Sequence, residues 1–552
     1  MSKNLNPRHY IHTIPMFRYA LMLLAGIVIA KNCSSILGVR EWIVIVCCLM
    51  GLSLMFDKRH AMVSSVLLLL AMIGVGGMRY SFHDRSTWVV NGDHSCSCEM
   101  VIATEPIRRG KVIQFEGIVT KISNSEVSYI GGKDGMRDLL RLSRKRLHVS
   151  LLRDTIAKRY EALHIGQSVV ADIDMSPLKD WHRMNSNFDY VRWQKMRDIV
   201  GRGFIGIGKW EITSAGLSDL GFWEAHKLRS LMLRERLLER IKATGISIDS
   251  YAVLTAMAFG NKSALTSDLR EEYSMSGASH ILALSGMHLS IIYMLLSFFF
   301  RRRRIVYRLL IFGGLWWYVI FVGMPLSVVR AALMLTIWEA ICLMDREQKS
   351  LNVFGATLAV MLMLNPENLW DVGFQMSFMA VFGIIVARPL WDHLIPSGIR
   401  RIKRIDEKKL PLWKGRRYRA LRVLWYTACI SVSAQLGTAP LSAYYFGRVS
   451  IYFLLTNFIV IPFATVIICG AFILTAIILA DVLAGGMLSV VVKFASAILA
   501  AIVTMQNGIL GIIAHLPGSS IEGIHFNMLQ TASSYVMVYA LLLVLYRLVR
   551  VR

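Results

Sequence analysis

The sequence predicts a polytopic α-helical membrane protein with about 12 transmembrane helices and one inserted β-rich, OB-like extracytoplasmic domain. Three observations carry that prediction. Of 552 residues, 55% are hydrophobic and only 18% are charged, and the mean hydropathy is +0.50; a soluble domain of this length is far more polar. Apolar stretches of about 20 residues, enough to cross a hydrocarbon core of about 30 Å, recur along the chain. Between residues 81 and 225 the hydropathy falls and short alternating runs take over.

Residues 1–80 hold three apolar stretches, Met16 to Leu37, Trp42 to Phe56 and Ala61 to Tyr80. Lys3, Arg8 and Arg18 precede the first, but further apolar segments follow it at once, so it reads as an anchor and not as a cleaved signal. Placing the N-terminus and the connector Asp57 to His60 in the cytoplasm satisfies the positive-inside rule. Three crossings then leave the next region outside.

That region, 81–225, alternates apolar and polar residues in Val112 to Val119 and in Ser168 to Ile173, with a turn-rich spacer at Gly131 to Gly135. A compact barrel of the OB type fits, and a sandwich fits the same periodicity. It carries 21 Lys and Arg against 18 Asp and Glu, a net of +3, so any attraction for polyanions is local. Cys96 and Cys98 would sit about 6.6 Å apart in a strand, so a bridge there is strained or absent. The other six cysteines lie in apolar runs as small hydrophobes.

Residues 226–250 follow as an amphipathic segment, its apolar Leu228, Leu231, Leu238 and Ile241 interleaved with Arg229, Arg236 and Arg240. It reads either as a helix on the membrane surface or as a packing helix. From 251 to 552 about nine more crossings follow, from the stretch Gly277 to Phe300 through to Met528 to Leu548. The basic connectors Arg301 to Arg304 and 388–422, together with the C-terminal tail, fall inside, while Met324-Pro325 and Pro517 fall outside. A net charge of +26 follows from such loops as readily as from nucleic-acid attraction.

Several spans carry polar or helix-breaking residues: His280, Ser285, Gly286 and His288, then Arg330, Asp371 and Gln375, then Gln435, Asn457 and Pro462. Each reads either as an interhelical hydrogen bond or as the lining of a watery path. Arg330 either snorkels to the interface or guides phosphates. Asp371 and Gln375, one turn apart, share a face, and Asp371 is expected to pair with a cation such as Arg330. Asn457 and Pro462 predict a broken helix in Ile451 to Ala480. His280 and His288 stand about 12 Å apart on a regular helix and share no metal. With no Walker A loop, no His-Glu-x-x-His and no Gly-x-Ser-x-Gly, neither cofactor nor ATPase activity is expected.

The run Gly277-Ala278-Ser279-His280-Ile281-Leu282-Ala283-Leu284-Ser285-Gly286-Met287-His288 resembles the signature of the ComEC family of competence DNA-uptake channels. Ala258 to Lys262, Arg330 to Met334, Gly373 to Phe378, Gln435 to Pro440 and Asn457 to Pro462 agree in order, and Asn187 to Tyr190 with Gly201 to Gly206 resembles the end of that family's OB-like outer domain.

The resemblance implies a multi-pass protein of the cytoplasmic (inner) membrane that imports single-stranded DNA during natural transformation, and the charge pattern puts both termini in the cytoplasm. It implies an outer domain that handles DNA, a core conducting one strand among lipid, and partners that include a cytoplasmic helicase and an extracytoplasmic DNA receptor; aromatic and basic residues such as Phe115, Tyr129, Trp181 and Arg183 are the expected contacts of the outer domain with the strand. Many members add a metallo-β-lactamase-like domain; this sequence ends at Arg552 after its last span, so no nuclease activity is expected and a separate nuclease is a candidate partner. A small-solute transporter and an intramembrane enzyme using His280, His288 and Asp371 are the rival readings.

Overall fold

The computed structural model describes residues 14–33, 36–56, 61–86, 89–90, 92–123, 142–156, 158–178, 189–213, 217–299, 305–344, 349–396 and 412–551. Helices α1 (Pro15–Asn32), α2 (Val39–Met55) and α3 (Ala61–Ser86) open the chain. Gly26 of α1 lies on the backbone of Ile73, and Gly76 of α3 on that of Leu23, where a β-carbon would overlap the opposite helix. Gly77 leaves room for the Trp42 ring. Lipid offers helices no hydrophobic drive to associate, so this close approach, with its dispersion contacts, holds the three together.

The β domain comprises β1 (His94–Ile102), β2 (Ile107–Arg109), β3 (Val112–Ser123), β4 (Arg146–Leu152), β5 (Ser168–Ser176), the short helix α4 (Tyr190–Met196), β6 (Ile199–Ile205) and β7 (Trp210–Thr213). Five strands close on themselves in the order β1-β3-β4-β6-β5-β1; β4 and β6 run parallel and the other pairs antiparallel. Alternating residues of β4 and β5 point inward, and Met100, Phe115, Val149 and Ile173 fill the interior. Gly203 keeps that interior from overfilling, because a β-carbon there would collide with Ile173. Cys96 and Cys98 are buried inside as free thiols.

Helix α5 (Phe222–Ala243) joins the barrel to the rest of the chain. Its Ala225, Leu228 and Leu231 pack on Val101, Ile118 and Ile165 of the barrel, while Leu238 and Ile241 belong to the core of the helical bundle. Both halves of the apolar face are therefore covered by protein. Between them, Arg234 donates to the carbonyls of Phe259 and Val322 at 3.3 and 3.4 Å, closing the ends of two bundle helices.

The bundle continues with α6 (Ile248–Phe259), α7 (Ser267–Met275), α8 (Ser279–Leu282), α9 (Gly286–Phe299), α10 (Ile305–Phe321), α11 (Leu326–Leu343) and α12 (Ser350–Leu364). A 3-10 turn (Pro366–Trp370) leads to α13 (Val372–Leu394), α14 (Leu412–Phe446), β8 (Arg448–Ser450), α15 (Phe453–Leu483), α16 (Ser489–Ala514), β9 (Ser520–Glu522) and α17 (Met528–Val551). Six described helices are long and apolar enough to cross a membrane, and α6, α9, α10 and α12 are apolar but shorter. The chain is a multi-pass membrane protein with a β-barrel domain.

Three expectations change. The stretch Gly277 to Phe300 is two helices, not one, because Ala283 turns extended (φ −97°, ψ 125°) after α8 and α9 restarts at Gly286. Conversely, α15 runs unbroken for 31 residues with Pro462 inside. One missing N–H does not end a helix whose other bonds and packing persist. The basic segment 388–422 is helical at both ends, through Leu394 and from Leu412, while 397–411 lies outside the described residues.

Candidate conduction path and barrel junction

The segments singled out in the sequence meet one another. Ser327 of α11 donates to the Leu284 carbonyl at 2.6 Å, and a β-carbon on Gly286 would stand 3.4 Å from that of Ala331. Gly277, at φ +81°, fits under Ser450 and Phe453, and Thr456 of α15 donates to the Ser276 carbonyl at 2.7 Å. The break between α8 and α9 is thus wedged between α11 and α15.

At that break the Ser285 backbone N–H and hydroxyl both reach His288 Nδ1, at 3.2 and 2.9 Å. A backbone N–H can only donate, so Nδ1 accepts and the ring proton sits on Nε2. Nε2 is buried and turned toward the Ile281 backbone, while Arg330 Nη1 and Asn457 Oδ1 are buried with no hydrogen-bond partner among the described residues. A buried polar atom of this kind needs water or a polar solute to complete its bonding. His280 differs: its Nδ1 donates to the Gly277 carbonyl at 3.1 Å, and the residue is exposed. Among the described residues no group of His, Cys, Asp and Glu is arranged for a metal.

Arg330 is buried, donates to the Ser327 carbonyl at 3.3 Å and lies 5.4 Å from the Phe378 ring centre. The expected pairing with Asp371 is a longer-range attraction: the two charges act on one another but make no ion pair within 4.0 Å among the described residues. Asp371 instead caps α13, accepting the Phe374 N–H at 2.7 Å, because an aspartate just before a helix satisfies the free N–H groups of its first turn. Gln375 faces Tyr445, whose hydroxyl donates to Oε1 at 2.9 Å, and its own Nε2 donates to the Leu369 carbonyl at 2.8 Å. Gln435 is half-buried on α14, and Pro462 is exposed on α15.

Sequence reasoning passed over Glu339, which is buried on α11, accepts from the Tyr293 hydroxyl at 2.9 Å and lies 3.6 Å from Arg308. A glutamate inside the apolar run Leu326 to Met344 was the available signal.

The barrel is fastened to the bundle at two places. Glu105 accepts from Asn261 Nδ2 at 2.9 Å and from the Ser263 hydroxyl at 3.0 Å. Arg192 of α4, a helix capped by Asp189, pairs with Glu367 at 2.8 Å and lies 3.8 Å from the Trp370 ring centre, with Lys31 4.7 Å from the same ring. Of the expected strand contacts in the barrel, Phe115 is 2% exposed, so its ring serves the barrel core and not the surface. Tyr129, Trp181 and Arg183 lie outside the described residues.

Residues 257–548 match a family model described as Competence protein. Over 259 residues the chain is 25% identical to ComE operon protein 3 of Bacillus subtilis (strain 168), an alignment covering 46% of this chain and 30% of that protein. The chain thus spans less than a third of the length of this relative in the aligned region. No solved structure matches it.

Proposed function

Since this chain belongs to the competence protein family, the ComEC family whose signature it carries, we propose that it is an inner-membrane channel importing single-stranded DNA during natural transformation. The observation that carries this reading is the double fastening of the barrel, through Glu105 and Arg192, over the end of the bundle where α13 begins with Asp371. We read the barrel as OB-like: its closed order, with the third strand parallel to the fifth, supports this, and such barrels bind oligonucleotides. The break at Ala283, the exposed His280 and the unpartnered buried atoms of Arg330 and Asn457 support a hydrated route below it.

The barrel stands on the extracytoplasmic side and both termini are cytoplasmic; the basic connectors support that orientation. The barrel receives the strand and the bundle conducts it. A cytoplasmic helicase supplies energy, an extracytoplasmic receptor delivers DNA and a separate nuclease removes the other strand. Deleting the gene tests the proposal: transformation is lost while surface DNA binding persists. Transformation at the parental frequency overturns it.

A further inference from the structure

Beside the Asn261 fastening three cations gather: Lys262, Arg270 and Arg197. Lys262 and Arg270 are both exposed, and the Arg270 guanidinium donates to the Lys262 carbonyl at 3.1 Å, which draws the two side chains' bases together. Neither has a carboxylate within ion-pair distance among the described residues. Of the acidic residues on α7, Asp268 accepts from the Ser267 hydroxyl at 3.1 Å, Glu271 pairs with Arg448 at 2.8 Å, and Glu272 lies toward Gly511 of α16. From the barrel side Arg197 comes within electrostatic reach of Lys262 and of Asp371. Among the described residues its carboxylate within ion-pair distance, Glu116 at 3.4 Å, is shared with Arg146 at 3.7 Å.

Like charges gathered where two domains meet repel one another, and the fold tolerates them only at a cost that an anion relieves. An aromatic surface adjoins the cluster: Arg197 lies 4.2 Å from the Trp193 ring centre, and Trp193 stacks on Tyr190 at 5.6 Å. Cations beside stacked aromatic rings suit a single strand, whose phosphates and bases alternate.

We propose that Lys262, Arg270 and Arg197 form a phosphate-binding station between barrel and bundle, which takes phosphodiester groups of a single strand on its way from one to the other. This rests on the single-strand reading above. The test uses the purified full-length chain in neutral-lipid nanodiscs with a fluorescent oligothymidylate, measuring affinity against salt. Each phosphate contact contributes about 0.7 to the slope of log K against log salt, so the triple variant K262Q/R270Q/R197Q loses about 2 from it, while K262R/R270K/R197K keeps it.

A triple glutamine variant that melts like the parent yet keeps the parental slope overturns the station alone. A parent that binds no oligothymidylate overturns the single-strand reading with it. If the glutamine variant changes only the response to added phosphatidylglycerol, the cluster holds lipid headgroups and the proposal falls.

Discussion

Asn261 donates to Glu105 across the junction of barrel and bundle, at 2.9 Å, joining residues 156 positions apart. A hydrogen bond to a charged group is worth about 1.5–3 kcal/mol when its partner is left buried. A double-mutant cycle of Glu105→Ala and Asn261→Ala is expected to return a coupling in that range, with faster proteolysis between barrel and bundle in both single variants. Additive effects would mean the pair holds nothing.

Gly286 has room for a methyl group but not for a ring, since its missing β-carbon would already stand 3.4 Å from Ala331. Gly286→Ala should transform normally. Gly286→Trp and Ser285→Trp should insert at parental abundance and lose transformation. Normal frequencies in both tryptophan variants would move the path away from this break.

Asp371 acts on the start of α13. Asp371→Ala is expected to lower stability by about 1 kcal/mol, and Asp371→Asn, which still caps, to leave stability and transport near the parental level. Thermal unfolding in detergent checks the first and transformation the second. Loss of transport in a stable Asp371→Asn protein would show that the charge itself is used.

Burial pushes the Glu235 carboxyl above its ordinary value of 4.5, and the His164 contact at 3.3 Å only partly offsets that. The folded state therefore holds this proton more tightly than the unfolded chain does. The resulting stabilisation is complete below the ordinary value and is lost as pH climbs through the raised one. Melting temperatures across the acidic range should show this decline, and Glu235→Gln should flatten it.

The basic segment 388–422 carries twelve Lys and Arg against three Asp and Glu, a composition that opposes translocation of a short loop. A cysteine in place of Ser397 should resist an impermeant thiol reagent added to intact cells and react after permeabilisation. Labelling from outside would reverse the orientation.

The sequence made parts of this molecule legible where periodicity is strong. Val112 to Val119 and Ser168 to Ile173 read as strands and lie in β3 and β5. The same alternation puts Ile113 and Phe115 on one face, and that face turned out to be the interior. The break at Ala283 had a signal in the adjoining Ser285-Gly286 that the apolar length of Gly277 to Phe300 outweighed, and three-residue strands such as β8 and β9 leave no periodic signal. Asp371 carried a readable helix-start signal that its place in an apolar region obscured. Pairings such as Glu105 with Asn261 depend on contacts far apart in sequence, which local patterns do not encode.

The pairing of β8 with β9 sets a clock on assembly. Ser450 bonds with Ser520, 70 positions later, and Arg448 completes its contacts only when Glu522 arrives beside Glu271. At synthesis rates of about 5–20 residues per second, roughly 4–14 s separate the emergence of the two strands. Through that interval the helices on either side of Gly277 have no closing strand, and Arg448 holds only one of its two carboxylates. The bundle is therefore still open beside Gly277 when most of it is already in the membrane, and α15 and α16, the two helices made between the strands, decide when it shuts.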